Sequence, residues 1–189
     1  STVDALFVAK RLQEYAERAG QDGVMILLDW EKAFDKVDQE KMIEAIGRLN
    51  VPEKITDILK SFYQNPQFRI KDIEGKSTYR KQNAGIRQGC PLSPYLFVIF
   101  LTVLMTDVKQ ELTRRFPELG ILNPYHIFSS NTPLLELAYA DDILFFSRST
   151  RVLQEVLTTL QQHARKYNMY LNMDKTCLIH MNNQDPNPI

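Results

Sequence analysis

The chain has 189 residues, of which 44% are hydrophobic and 24% are charged, an ordinary globular composition that predicts one compact domain. No run of 18 apolar residues occurs and the two cysteines lack partners at metal-ligand spacing, so the sequence argues against a membrane-spanning helix, a zinc site and a disulfide framework. The 23 basic and 23 acidic residues cancel, which fits a complete nucleic-acid enzyme poorly, because phosphate neutralisation usually supplies the affinity of such enzymes.

The first part of the chain predicts helices around one buried strand. Residues 24–29 form a continuous apolar run that ends in Asp29, the pattern of a strand buried on both faces. Asp38 is the expected N-cap of the helix that follows it, whereas Asp35 is interpreted as a structural or capping residue. Helices are expected at Val3–Ala19, Gln39–Arg48 and Glu53–Tyr63.

Charge is uneven between Pro66 and Cys90, where six basic residues accompany only two acidic ones. The segment predicts a hairpin of Gln67–Ile73 and Ser77–Gln82, turning around a glycine. This hairpin would guide a template or primer, or it would be an ordinary solvated face.

Paired carboxylates are the most informative feature of the second half. After a glycine-rich loop and a helix expected from Pro94 to about Arg114, two apolar runs flank Asp141 and Asp142. This pattern predicts a hairpin whose turn exposes both acids, a layout suited to binding Mg²⁺ together with substrate phosphates. A helix facing the core with Val152, Val156, Leu157, Leu160 and Ala164 and a strand at Cys177–Ile179 complete the prediction.

Three segments resemble motifs A, B and C of reverse transcriptases in order and spacing: Leu28–Asp35, Gly85–Pro94 and Ala138–Asp142. A fourth, Tyr170–Thr176, is similar to motif D. The likeness is greatest to the enzymes of non-LTR (LINE-type) retrotransposons, with group II intron proteins second. It implies an α+β polymerase palm with an antiparallel sheet backed by helices, the fingers partial and the thumb absent. Residues 1–181 would form this palm and residues 182–189 a disordered tail or truncated linker, with an insertion loop at 115–132.

The resemblance assigns the acids and one lysine to catalysis. Asp29, Asp141 and Asp142 are expected to hold two Mg²⁺ ions, which Mn²⁺ can replace, and two such ions clamp the attacking and leaving oxygens of a displacement. Lys175 is expected to protonate the leaving pyrophosphate, or else to be a solvated surface lysine.

Four residues are expected to meet the incoming nucleotide, of which the resemblance assigns Phe34 and Gln88, whereas residue chemistry suggests Gly89 and Arg87. The ring of Phe34 would lie under the sugar and block a 2′-hydroxyl, unless it is simply a core residue. Gln88 would contact the nucleotide and template, and Gly89 would allow close approach of the backbone. Arg87 would meet a phosphate or remain a solvated charge.

These assignments predict an RNA-directed DNA polymerase whose partners are an RNA template, a DNA primer, dNTPs and the remaining fingers and thumb of a parent protein, with no membrane. The alternatives are a catalytically silent relic or domesticated nucleic-acid-binding module and an RNA-dependent RNA polymerase, which Phe34 disfavours. The chain begins without Met or a signal peptide, so we expect a fragment of an intracellular protein, nuclear if the host is eukaryotic.

Overall fold

The computed structural model describes residues 2–20, 22–73, 75–117, 135–139 and 141–181. In chain order the elements are α1 (Thr2–Ala19), β1 (Gly23–Leu28), α2 (Ala33–Lys36), α3 (Gln39–Gly47), α4 (Glu53–Tyr63), β2 (Gln67–Phe68), β3 (Arg80–Lys81), α5 (Ser93–Arg115), β4 (Leu135–Tyr139), β5 (Asp142–Ser147), α6 (Thr150–Arg165) and β6 (Cys177–Met181).

Strand β1 lies inside a four-stranded antiparallel sheet of order β4-β5-β1-β6. Its central position explains its apolar sequence, because both of its edges are paired and most of its side chains are buried. Only Leu27 departs from the predicted burial on both faces, with 39% of its surface exposed. The antiparallel sheet backed by helices confirms the predicted α+β fold.

One face of the sheet carries the main core. Side chains of β1 and β5 on this face pack with α3, α5 and α6, and α5 is apolar around most of its circumference because it runs through the centre of this layer. The most completely buried members include Ile26, Phe145, Ile46, Phe97, Phe100, Leu104 and Leu160. The other face bears a smaller cluster, in which Leu12 and Ala16 of α1 cover Met25 and Met181.

Most predicted elements are present within a few residues of their expected ends, and the Asp38 cap is confirmed, since its carboxylate accepts from the amide of Lys41 at 2.9 Å. The predicted long hairpin is wrong in extent. Its paired strands are only β2 and β3, with one further bridge between Lys71 and Lys76. Its side chains are mostly exposed on both faces, so little burial stabilises longer strands.

Several predicted features lie outside the described residues. These are the tail at 182–189, most of the insertion at 115–132, Ala140 of the catalytic turn and Glu74 of the hairpin. Of the helices that the structure does describe, none has the length and apolarity needed to cross a bilayer.

Candidate active site

The sheet brings the predicted acids to one end of two neighbouring strands. Leu28 of β1 pairs with Ile143 of β5 at the end of this antiparallel ladder, and Asp29 follows Leu28 while Asp142 precedes Ile143, so both acids adjoin the same pair. Asp141 directly precedes Asp142 in the turn between β4 and β5, where Tyr139 pairs with Asp142. Asp142 is exposed, while Asp29 and Asp141 are half-buried. The backbone therefore brings Asp29, Asp141 and Asp142 to the same end of these two strands.

These acids do not form a preformed metal cage. Among the residues that the structure describes, no group of three Asp, Glu, His or Cys side chains could hold a metal ion by itself. The cation near Asp29 is instead the ammonium of Lys175, whose Nζ lies 3.6 Å from Oδ2. A carboxylate that already attracts a cation, beside two further acids at the same end of the sheet, fits the chemistry of Mg²⁺ sites, which combine carboxylates with substrate phosphates.

Lys175 reaches Asp29 because the predicted motif D segment lies along motif A. The amide of Asn172 donates to the carbonyl of Asp29 at 2.8 Å, and the amide of Glu31 donates to the carbonyl of Tyr170 at 2.9 Å. A turn then returns the chain, since the amide of Lys175 donates to the carbonyl of Asn172 at 3.2 Å. Lys175 remains 69% exposed in its side chain, so the pair is open to solvent and to ligands.

Motifs A and B are joined by backbone hydrogen bonds at Gly85. The amide of Gly85 donates to the carbonyl of Val37 at 2.8 Å, and the amide of Ile86 donates to the carbonyl of Phe34 at 2.6 Å. The carbonyl of Gly85 accepts a hydrogen bond from Gln39 Nε2 at 2.8 Å. Gly85 has φ +83°, and a Cβ there would lie 2.6 Å from the carbonyl oxygen of Phe34. Only glycine fits this contact, which fixes the loop before α5 against the turn after Asp29.

Phe34 lies at the same junction. Its half-buried ring stacks on Phe97 of α5 with centroids 4.5 Å apart and planes 25° apart. The chain reaches this position through Lys32, whose left-handed φ of 52° turns it sharply after β1. The ring is therefore held by α5, an arrangement compatible with both a sugar-contacting residue and a core residue.

Gln88 and Arg87 have partners that the sequence did not reveal. Gln88 Nε2 donates to Asp35 Oδ1 at 2.8 Å, across 53 residues, and Arg87 Nη2 donates to the carbonyl of Phe62 at 2.9 Å, at the end of α4. Gly89 has φ +83°, and nothing described lies within 4 Å of where its Cβ would be, so the loop is open there. Asp35 thus has a structural partner, as predicted, and Arg87 braces the loop against α4.

Two pKa shifts lie near this loop. Lys36 donates to Glu31 from 2.7 Å and so holds the pKa of that carboxyl below its ordinary value. Burial raises the pKa of Tyr63, which lies beside Arg87 and Cys90. Neither shift involves one of the three predicted metal ligands.

Comparison with known proteins places this geometry in a family. The profile of the family described as "Reverse transcriptase (RNA-dependent DNA polymerase)" matches residues 1–186. The chain is 24% identical over 173 residues to the uncharacterized 149 kDa protein of transposon TX1 from Xenopus laevis. This aligned region covers 92% of the chain and 12% of the TX1 protein. The chain is also 29% identical over 157 residues to the probable RNA-directed DNA polymerase from transposon BS of Drosophila melanogaster. This aligned region covers 80% of the chain and 16% of the transposon BS protein.

A solved structure shares the fold. Telomerase from Candida albicans, in complex with a fragment of telomeric RNA, matches with a TM-score of 0.68 at 16% identity, over 100% of this chain and 31% of that one. The chain spans only 12% and 16% of the two relatives above, and the relatives are non-LTR retrotransposon proteins, as the motifs predicted. Because the family profile matches residues 1–186 of its 189 residues, the chain belongs to the reverse transcriptase family.

Proposed function

We propose that this chain is the palm of an RNA-directed DNA polymerase, which adds deoxynucleotides to the 3′ end of a primer. The observation that supports the proposal is the register in which Leu28 pairs with Ile143, because Asp29 and Asp142 adjoin this pair at the same end of two neighbouring strands and Asp141 lies in the adjoining turn. The partners are an RNA template, a DNA primer, dNTPs and the fingers and thumb of a parent protein. The location is intracellular, and nuclear in a eukaryotic host.

Enzymes of the family use divalent metal ions. For this chain we infer two Mg²⁺ ions, replaceable by Mn²⁺, with Asp29, Asp141 and Asp142 as the residues that would hold them. When bound, such ions polarise the phosphoryl group and stabilise the attacking and leaving oxygens. The acids lie at one end of two neighbouring strands, half-buried at Asp29 and Asp141 and exposed at Asp142, so substrate phosphates can complete the coordination.

The chain's own side chains supply the remaining functions. Lys175, already beside Asp29, holds a proton that it can give to the leaving pyrophosphate, and help of this kind is worth about 10²–10⁴-fold in rate. The ring of Phe34, held by its stack on Phe97, excludes a 2′-hydroxyl from the sugar position. This exclusion favours a DNA polymerase over an RNA polymerase.

A second candidate function is nucleic-acid binding without catalysis. It is favoured by the exposed basic hairpin. In that hairpin the guanidinium of Arg69 lies 5.1 Å from the centre of the Tyr79 ring, an arrangement of charge and aromatic surface suited to single strands.

One assay separates the two functions. The complete natural protein that contains this sequence is titrated with Mg²⁺ or Mn²⁺ and supplied with dNTPs and an RNA template annealed to a DNA primer. We expect Asp141→Asn to reduce incorporation by more than about 100-fold, because even outer partners of metal ligands are worth 10–100-fold. Asp57→Asn, on the exposed face of α4, is the control. Template binding without any incorporation by the unchanged protein would favour the binding module.

A further inference from the structure

The hairpin formed by β2 and β3 divides its charges between two faces. In an antiparallel ladder, residues directly opposite each other lie on one face, and successive residues along a strand alternate between faces. Gln67 pairs with Lys81, and Phe68 pairs with Arg80. The two neighbouring cations of β3 therefore lie on opposite faces, Lys81 beside Gln67 and Arg80 beside the exposed ring of Phe68.

Nearer the turn, a β-bulge adds a cation to the face of Lys81. The register of β2 and β3, if continued, would set Ser77 opposite Lys71, but the bridge there joins Lys71 to Lys76. The return strand therefore carries one extra residue, which is a bulge. Ser77 closes it, because its amide donates to the carbonyl of Ile70 and its hydroxyl accepts from the amide of Ile70, both at 2.9 Å. As a result, a lysine instead of a serine lies opposite Lys71.

Four cations and one aromatic ring thus share one face of the hairpin, which we call the basic face: Arg69, Lys71, Lys76, Lys81 and Tyr79. These side chains are exposed, and the guanidinium of Arg69 lies 5.1 Å from the centre of the Tyr79 ring, as expected for neighbours on one face. None of the ion pairs that the structure describes involves these cations. Asp72 alternates to the other face, and its carboxylate accepts from the amide of Gly75 at 2.9 Å. The basic face therefore presents a positive charge that no described ion pair neutralises.

This pattern is unfavourable for the hairpin alone and favourable for binding a polyanion. Lys71 and Lys76 are directly opposite each other, and like charges in that position destabilise a ladder. From the pair of Gln67 and Lys81 to this pair is a distance of about 13 Å, at 3.3 Å per residue of the first strand. That length spans about four nucleotides at 3.4 Å per phosphate along a strand. An exposed ring among the cations adds a platform on which an unpaired base can stack.

The base of the hairpin is fixed beside the candidate active site. The amide of Gln82 donates to the carbonyl of Pro66 at 2.8 Å, which closes the hairpin. The side chain of Gln82 donates to the carbonyl of Gly85 at 3.4 Å, and Gly85 is the residue that joins motif B to the turn after Asp29. A strand held on the basic face therefore lies next to the loop that leads to the site.

We propose that the basic face binds single-stranded RNA, with its cations on successive phosphates and Tyr79 stacked on an unpaired base. The choice of RNA rests on the proposed polymerase function, in which the template is RNA. The binding itself uses none of the three acids and needs no metal ion. A duplex can meet the cations, but its bases stack on one another and leave no face for Tyr79.

Two adjacent residues of β3 provide the test, because Lys81 and Arg80 are both exposed cations but lie on opposite faces. Binding of a labelled oligouridylate to the complete natural protein is followed by fluorescence anisotropy over a series of salt concentrations, with divalent metal chelated and no dNTP. We expect Lys81→Gln to reduce the slope of log affinity against log salt by about 0.7, the value of one phosphate contact on a single strand. Arg80→Gln should leave the slope unchanged. Equal changes in the two variants would overturn the proposal.

The aromatic contact has its own matched pair. Tyr79 is 62% exposed on the basic face, and Phe68 is 46% exposed on the other. We expect Tyr79→Leu to weaken oligouridylate binding by about fivefold or more, the usual value of stacking one base, and to leave binding of duplex RNA unchanged. Phe68→Leu should alter neither affinity. A loss in Phe68→Leu as large as that in Tyr79→Leu would assign the stacking to the wrong face and overturn the proposal.

Photo-crosslinking locates the strand directly and does not depend on activity. An oligouridylate that carries 5-iodouridine is irradiated with the protein, and the linked residue is identified by mass spectrometry of the digested peptides. We expect the link at Tyr79, both in the unchanged protein and in Asp141→Asn, because this face does not use the metal ligands. A link that avoids the hairpin overturns the proposal. If the link forms at Tyr79 but the unchanged protein adds no nucleotide, the polymerase proposal fails and the binding face stands.

Discussion

At the scale of single residues, Phe34 is the residue proposed to select the sugar of the incoming nucleotide. Its ring stacks on Phe97 at 4.5 Å, so its position is set by α5 rather than by its own short helix. We expect Phe34→Ala to raise incorporation of ribonucleotides relative to deoxynucleotides by about tenfold or more, the usual value of a steric contact in a pocket. Competing single-nucleotide extensions with rNTP and dNTP measure this ratio.

Phe97→Leu is the comparison for this experiment, because it weakens the stack but keeps the Phe34 ring. It should change the nucleotide ratio less than Phe34→Ala does while lowering thermal stability. A lower melting temperature for Phe34→Ala with no change in the ratio would mean that Phe34 is only a core residue.

The ion pair between Lys175 and Asp29 predicts that the lysine competes with a metal ion for this carboxylate. The two groups lie 3.6 Å apart, and the lysine is 69% exposed, so the pair is worth no more than an exposed ion pair. We expect Lys175→Met to tighten Mn²⁺ binding to the free protein by up to about fivefold, which electron paramagnetic resonance titration can measure. Lys41→Met, which loses an exposed pair with Glu44 on α3, should leave Mn²⁺ affinity unchanged. Weaker Mn²⁺ binding in Lys175→Met would contradict this competition.

At the scale of elements, Gly85 determines how the loop before α5 fits against the turn after β1. An alanine there must adopt φ +83° and place Cβ 2.6 Å from two backbone carbonyl oxygens, so we expect Gly85→Ala to lower the free energy of unfolding by at least about 2 kcal/mol. An alanine at position 89 must adopt the same φ of +83° but would have no described atom within 4 Å of its Cβ. We therefore expect Gly89→Ala to lower the free energy of unfolding by only about 1–2 kcal/mol, from backbone strain. Urea unfolding of both variants measures the difference, and equal losses would refute the contact.

An ion pair with a pH dependence joins the residue that ends α3 to α5, in addition to their packing in the main core. Arg48 donates to both carboxylate oxygens of Asp107, at 2.7 and 2.5 Å, and this hydrogen bonding holds the pKa of Asp107 below its ordinary 3.8. A depressed folded pKa adds stability above the unfolded pKa, and this stability is lost as pH falls through the folded value. The charges of His163 in α6 and of Lys166, just after this helix, also lower the pKa of Asp107.

We therefore expect Asp107→Asn to cost about 1 kcal/mol of unfolding free energy at neutral pH and little at pH values well below 3.8, where the unchanged protein has lost the pair as well. Asp57→Asn, which breaks an exposed pair with Lys60 on α4, should cost almost nothing at either pH. Thermal unfolding at several pH values compares them, and a constant difference across the series would exclude the pair as its cause.

The sequence predicted those elements whose pattern is local. The apolar run ending in Asp29 identified β1, and the acids between two apolar runs identified the turn before β5, because burial and turn geometry depend on neighbouring residues. The partners of Gln88 and Arg87 lie 53 and 25 residues away, and no local pattern encodes them. The length of the hairpin strands was over-predicted for a related reason. Alternation of polar and apolar residues looks the same in the sequence whether or not another element buries one face of the strands.

At the scale of the whole molecule, the two faces of the sheet are stabilised unequally. The main core joins the sheet to α3, α5 and α6, whereas the cluster on the other face includes only Leu12, Ala16, Met25 and Met181 as buried members among the described residues. Near the start of α1, Leu6 and Phe7 are 66% and 63% exposed. Regions with few buried apolar contacts open locally at low free energy. We therefore expect α1 to open while the main core stays folded.

Native-state hydrogen exchange tests this difference with two core truncations. Leu12 is 2% exposed, and truncating a buried leucine to alanine costs about 2–5 kcal/mol. In Leu12→Ala the loss should appear as faster exchange in α1, with α5 and α6 protected as before, because the main core does not depend on that helix. Leu104→Ala, at the centre of α5, should instead speed exchange in β1, α5 and α6 together, since those elements share one core. Equal loss of protection throughout the molecule in Leu12→Ala would mean that α1 unfolds only with the rest, and the sheet would then be stabilised cooperatively from both faces.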